Sequence, residues 1–328
     1  MTRKEVTFTR IIRSRGMAAL IALAAVFMTF QAYIFGKVTP VGDFRTIAFP
    51  TPSEWLSDSW ISLWANIAVT LGAGAVMIFI NRSFNILRTT SVFFAAYFIF
   101  ITAATPEVMG QFTASSLLAI AVMGATWIMF SIYDRRVSAR RVYLVFFLLG
   151  LGQLVEYCFV LYIPVFIIAL GQMKIFSFKK ILAAILGNIT PAWIAWGLAL
   201  LPKPELPILE FTHPARLLSM PESWPLLAAV ALTLLTGFVF GNLNLIKIMG
   251  FNAQARAYNG LLTILSIATG IFALVNFTNI TFYIILLNAC VAFQVGHFFR
   301  FTVMRRGYIA VVSLMAAYLG PYIWAMTV

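Results

Sequence analysis

The chain has 328 residues, of which 62% are apolar and only 10% are charged. Soluble domains run near half apolar and about a quarter charged, so the composition excludes a soluble enzyme, a disordered tail and a nucleic-acid reader. With 23 Lys and Arg against 10 Asp and Glu, the net charge is +13. In a chain this apolar the cations report sidedness, because Lys and Arg collect on the cytoplasmic flank of membrane helices.

A basic stretch at 1–16 leads into an apolar run at 17–35. The run is long and no small-residue cleavage site follows it, so it reads as a spanning helix rather than a signal peptide. Further spanning helices, each near the roughly 20 apolar residues a bilayer needs, are expected at 61–80, 89–105, 113–133, 181–201, 225–245, 258–275, 280–297 and 308–326. The stretch 142–170 is different. As one helix it would be about 44 Å long, and as two it gives about 21 Å each, against a hydrocarbon core of about 30 Å.

The flanking charges decide between one crossing and a hairpin. If 142–170 folds back, then 1–16, 81–88, 134–141, 172–180, 246–257 and 298–307 share one face. That face then holds every Lys and Arg except Lys37, Arg45, Lys203 and Arg216. Most carboxylates fall on the other face: Asp43, Glu54, Asp58, Glu107, Glu205, Glu210 and Glu222. A single crossing would put three basic loops on the wrong side. The expected fold is therefore all-α, a polytopic transmembrane helical bundle. It has about eleven membrane segments including a short-helix hairpin at 142–170, with the N-terminus cytoplasmic and the C-terminus outside a cytoplasmic (inner) membrane. The turn of such a hairpin must be covered by protein or line a cavity, since bare turn backbone is not tolerated in lipid. No loop is long enough for a soluble domain, so 1–328 reads as one integral membrane domain. The longest connections, 36–60 and 202–224, both lie outside. The first offers Trp55 and Trp60 as interfacial anchors and a short interfacial helix around Glu54–Trp60; the second, with five prolines, reads as stiff and extended.

Few residues offer chemistry. Glu156 is the one carboxylate placed inside the membrane, with Gln153 three residues earlier on the same helical face. Such a pair can bind a proton, an ion or a polar substrate group, or Glu156 can simply shape the turn. In the first outer loop Asp43, Arg45, Glu54 and Asp58 offer carboxylates that can act as general bases, or can be solvated loop charges. In the second, His213 and Arg216 are one helical turn apart, with Pro214 against a helix beginning before it. Cys158 and Cys290 read as small core hydrophobes, and His297 as a helix-end residue. Asn66, Asn188, Asn242, Asn244, Asn288 and Gln294 read as polar glue between helices. The triplets beginning at Asn188, Asn276 and Asn279 match a glycosylation pattern that is common by chance. There is no Walker A, HExxH or GxSxG motif and no Cys/His ligand set, so neither a metal nor a cofactor is expected.

Residues 81–201 carry a sequence of punctuation: Arg88, Thr105-Pro106, Arg135-Arg136, L-G-L-G at 149–152, Pro164, Lys179-Lys180 and N-I-T-P at 188–191. This run resembles the membrane part of GT-C type polyprenyl-phosphate-dependent glycosyltransferases, and also multi-pass bacterial inner-membrane proteins of similar spacing. The resemblance covers roughly a third of the chain. Members usually carry an acidic pair in the first outer loop; here Asp43 stands alone, with Glu54 and Asp58 further on. The resemblance implies envelope biogenesis and transfer of a sugar from a polyprenyl-phosphate donor at the outer face. Asp43 would be the general base, and Arg45 or Arg216 would hold the phosphate leaving group. Two other readings stand beside it. One is a transporter or lipid-handling protein using Glu156 and Gln153; the other is a non-catalytic membrane subunit of a larger complex. The expected partners are membrane lipid, a polyprenyl-phosphate-linked sugar and other membrane proteins, with no nucleic acid.

Overall fold

The computed structural model describes residues 14–36, 49–88, 91–134, 139–200, 218–301 and 305–328, and among them the chain forms helices and no strand. Helix α1 (Arg15–Ile34) starts where the Ser14 hydroxyl accepts from the Met17 amide at 3.1 Å. A single turn, α2 (Pro52–Trp55), precedes α3 (Ser59–Phe84), which ends at Asn85 in the left-handed region. Then come α4 (Phe93–Ala103), the short α5 (Pro106–Met109) and α6 (Ala114–Phe130). The second half adds α7 (Ala139–Val155), a 3-10 turn at Tyr157–Leu161, α8 (Tyr162–Gln172), α9 (Phe178–Gly197), α10 (Trp224–Ile248), α11 (Ala253–Val275), α12 (Ile280–Phe301) and α13 (Arg305–Thr327).

Among the described residues six helical stretches are long and apolar enough to cross a membrane: Arg15–Ile34, Ser59–Phe84, Pro221–Ile248, Ala253–Val275, Phe277–Phe298 and Ile309–Thr327. The helical bundle agrees with the sequence, but the count of about eleven segments is not reached among the described residues. Three further apolar helices, at Phe93–Ala103, Ala114–Phe130 and Tyr157–Gln172, are shorter. The expected helix at 89–105 stops at Ala103 because Pro106 lacks an N–H and biases Thr105 away from helix.

α12 is the centre of the bundle, packed by α4, α6, α10 and α11. The outer helices present large apolar side chains with nothing over them: Leu20, Leu23 and Phe27 on α1, and Leu182, Ile189 and Trp193 on α9. In water such a surface would be an aggregation liability, whereas in a bilayer it meets hydrocarbon. α9 is hung on α7 by one close crossing. A methyl at Gly150 would lie 2.4 Å from the Asn188 carbonyl oxygen, and one at Gly187 would lie 2.4 Å from that of Tyr143. Only glycine permits that approach of two backbones.

Contacts between helix ends sort them into two groups. At one end Phe84, Phe130 and Tyr258 stack together, Arg88 lies 4.3 Å over Phe251, and the Asp134 amide donates to the Met173 carbonyl at 3.0 Å. At the other, Tyr33 donates to Ser59 at 2.9 Å, the Phe112 amide donates to Ser62 at 2.9 Å, and Trp224 meets Trp324. The first group joins 81–88, 134–141, 172–180 and 246–257, four of the six stretches that the lysine and arginine distribution put on one face. The Asp134–Met173 bond matters most, because it joins the two feet of the 142–170 segment. The chain enters and leaves that segment at one end of the bundle.

Candidate functional site

The fold-back of α7 and α8 has its apex at Glu156, where the backbone turns extended (φ −146°, ψ 116°) between α7 and the 3-10 turn. The Phe159 ring covers Gly152, so closely that a methyl there would lie 2.3 Å from it. The Phe49 amide donates to the Leu154 carbonyl at 3.4 Å, and the Phe49 ring packs on Leu154 and Ala195. The apex is therefore covered by protein, as a turn in this position requires.

Beneath that cover lies a cluster of polar groups. Glu156 is only 2% exposed and Cys158, two residues on, 4%. From the α11–α12 connection, the Asn276 side-chain amide donates to Cys158 Sγ at 3.3 Å and to the Tyr283 hydroxyl at 3.0 Å. Asn279 reaches the same sulfur at 3.9 Å. Nearby on α8, Tyr162 donates to Thr269 of α11 at 3.3 Å. The side-chain oxygens of Asn276 and Asn279 are buried and have no acceptor role filled among the described residues. Unfilled buried acceptors are few in a folded protein. Here two of them belong to side chains that reach Cys158, two residues after a buried carboxyl at a helix break, and acceptors of this kind suit hydroxyl, amine or proton donors.

The residues expected from the sequence are dispersed. Asp43, Arg45, His213 and Arg216 lie outside the described residues. Glu54 is exposed on α2. Asp58 is also exposed, and its carboxylate caps α3 by accepting from the amides of Trp60 at 2.8 Å and Ile61 at 3.3 Å; that is a stabilising role at a helix N-terminus. Gln153 donates to the Asn188 side chain of α9 at 2.8 Å, so it ties α7 to α9. Asn66 donates to the Val108 and Met109 carbonyls at 2.9 Å and accepts from Ser116, a helix-joining role as expected. Asn288 donates to Thr102 at 3.2 Å, and Asn259 is paired with His297. Close by Asn66, Glu107 of α5 lies in the connection between α4 and α6, where burial pushes its carboxyl above the usual range.

Cys158, Asn276, Asn279 and Tyr283 were not singled out as a site by the sequence. The contacts that assemble them join residues 118 and 121 positions apart, and no local spacing encodes that. Among the described residues no group of three or more His, Cys, Asp or Glu gathers to hold a metal. No protein-family model matches the chain, no curated protein is significantly similar to it, and no solved structure shares its fold at a significant level.

Proposed function

We propose that this is a multi-pass protein of a bacterial cytoplasmic membrane, working in envelope biogenesis. It takes the polar group of a lipid-linked substrate at the hairpin apex, on the outer face. The observation that carries the reading is the buried Glu156 carboxyl at a break between two helices, two residues from Cys158, whose sulfur is reached by Asn276 and Asn279 with their side-chain oxygens unfilled. Carboxylates inside membrane proteins are costly and mark substrate or proton paths. Broken helices are where membrane proteins bring backbone and side-chain polar groups to a substrate. A sugar headgroup is rich in hydroxyl donors and matches acceptors of this kind.

The test is binding of a radiolabelled polyprenyl-phosphate-linked hexose to the full chain in lipid nanodiscs. Glu156→Gln and Asn279→Leu should each weaken binding about tenfold, the effect of roughly one buried hydrogen bond. Unchanged affinity in both variants removes this reading.

A second reading has one observation in its favour. Phe49, four residues after Arg45 in the chain, is bonded to Leu154 beside the apex. In that reading Asp43 takes the proton of an acceptor hydroxyl, and Arg45 or Arg216 stabilises the phosphate that leaves. Asp43→Asn should abolish sugar transfer while leaving donor binding intact; transfer at the original rate would remove the transferase role alone.

A further inference from the structure

The fold-back at 142–170 has a counterpart earlier in the chain. α4 has 11 residues and α6 has 17, about 16 and 25 Å of helix, so neither crosses a hydrocarbon core of about 30 Å. α4 leaves, and α6 returns to, the end of the bundle that holds Arg88 and Phe130. α7 and α8 have the same two lengths in reverse order. The turn of the first fold-back is α5, which carries Glu107. Asn66, bonded to the Val108 and Met109 carbonyls, lies seven residues or about 10 Å along α3 from Ser59. Glu107, placed by the sequence in an outer connection, is drawn in to about that depth.

The two tips are neighbours. α6 packs along α7, and both fold-backs lean on α12: α5 packs on it just past the Thr102–Asn288 bond, and the Phe159 ring meets Phe282 at 5.6 Å. One short strap also touches both. Its Phe49 amide bonds to Leu154 of the second tip, and its Trp55 ring lies 6.3 Å from Phe112 of the first. The Trp55 indole donates back to the Pro50 carbonyl at 2.7 Å, so the strap is doubled on itself and holds the tips close. Each tip has a glutamate and buried polar atoms with no bonded partner among the described residues. At the second these are the side-chain oxygens of Asn276 and Asn279; at the first it is the Ser115 hydroxyl, on a residue 2% exposed. Glu107 itself is half-buried, and no described cation acts on it. A carboxyl at such depth without a counter-charge is costly, and residues of this kind serve a ligand or a proton.

We propose that Glu107 is a second binding carboxyl of the apex site, and that the two tips take one sugar headgroup between them beneath the strap. Glu107 accepts from hydroxyls on the edge of the ring that Glu156 does not reach. A hexose carries hydroxyls around its whole rim, so acceptors on two sides suit it. A ligand with donors on one edge alone would leave one carboxyl buried and unfilled, which is costly. The inference rests on the headgroup reading given above and adds the first fold-back to it.

The test uses the unaltered full chain in lipid nanodiscs. Dicyclohexylcarbodiimide, which enters lipid and couples to carboxyls, is applied with and without polyprenyl-phosphate-linked hexose, and the modified peptides are quantified by mass spectrometry. At ten times its Kd the hexose lipid should slow modification of Glu107 and Glu156 alike by about tenfold. Asp58, exposed at the start of α3, should react at the same rate throughout. Protection of Glu156 alone overturns this inference and leaves the headgroup reading standing; protection of neither removes both. Polyprenyl phosphate without the sugar should protect neither, and if it protects Glu107 as well as the hexose lipid does, the inference fails. Glu107→Gln, which keeps the shape of the side chain, should weaken hexose-lipid binding about tenfold. Undiminished affinity in that variant also overturns the inference.

Discussion

The stretches Phe277–Phe298 and Ile309–Thr327 have the same mean hydropathy, yet 94% of the first is buried inside the bundle and only 17% of the second. Apolarity placed both in the membrane and said nothing about which would be the hub. In a bilayer the lipid chains are as apolar as leucine, so hydrophobicity cannot select an interior. Close contacts and polar bonds select it instead. α12 carries Asn288, bonded to Thr102, and Gly296, whose missing side chain leaves room for Leu87 and Phe94. On α13, Gly320 faces open space. The lesson is that interior position is written in a few small and polar residues.

That contrast can be broken by adding single methyl groups. Unfolding can be followed with a thiol-reactive fluorogenic dye, since Cys158 and Cys290 are both buried and free. The largest loss is expected from Gly187→Ala, where the new methyl meets a backbone oxygen that cannot turn aside. It should cost about 3 kcal/mol, the upper part of the overpacking range, and lower the melting temperature by several degrees. It would also show that a lipid-facing helix can depend on one crossing. Gly296→Ala should cost about 1–2 kcal/mol, because the methyl would lie 2.8 Å from Leu87 Cδ1 and 3.0 Å from Phe94 Cβ.

A smaller, pH-dependent effect is expected at Glu107. Burial holds its carboxyl above the ordinary value of 4.5. Between 4.5 and the raised value the folded chain keeps a proton that the unfolded chain has lost. Stability therefore falls as pH rises through that window. Glu107→Gln should flatten the pH dependence of the melt; an unchanged slope would show that Glu107 does not contribute it. The smallest effect belongs to Gly320→Ala, which meets nothing within 4 Å and should leave stability equal or slightly raised through helix propensity. If it costs as much as Gly296→Ala, the distinction between hub and rim fails.

The long helices were legible because a bilayer sets one length and one composition. α1, α3, α10, α11 and α12 each begin within about five residues of the expected start. The fold-back at Glu156 was legible from length and charge together, and the Asp134–Met173 bond bears on the same point. The 89–105 stretch was read too long at both ends, since the helix begins only at Phe93 and the apolar run continues smoothly to a proline that stops it at Ala103. The apex cluster was illegible for another reason. Asn276 looked like a chance triplet and Cys158 like core, and only their meeting across the bundle gives either a role. Sidedness constrains which ends are neighbours, but it does not say which side chains face each other.

The Tyr322 hydroxyl donates to the Met28 carbonyl at 2.9 Å, closing the last helix on the first. During synthesis at about 5–20 residues per second, roughly 15–60 s separate the appearance of these two residues. Over that interval α1 must wait in the membrane, held chiefly by α4, with its partner not yet translated. A ribosome stalled shortly before codon 322 would leave this seam unsewn.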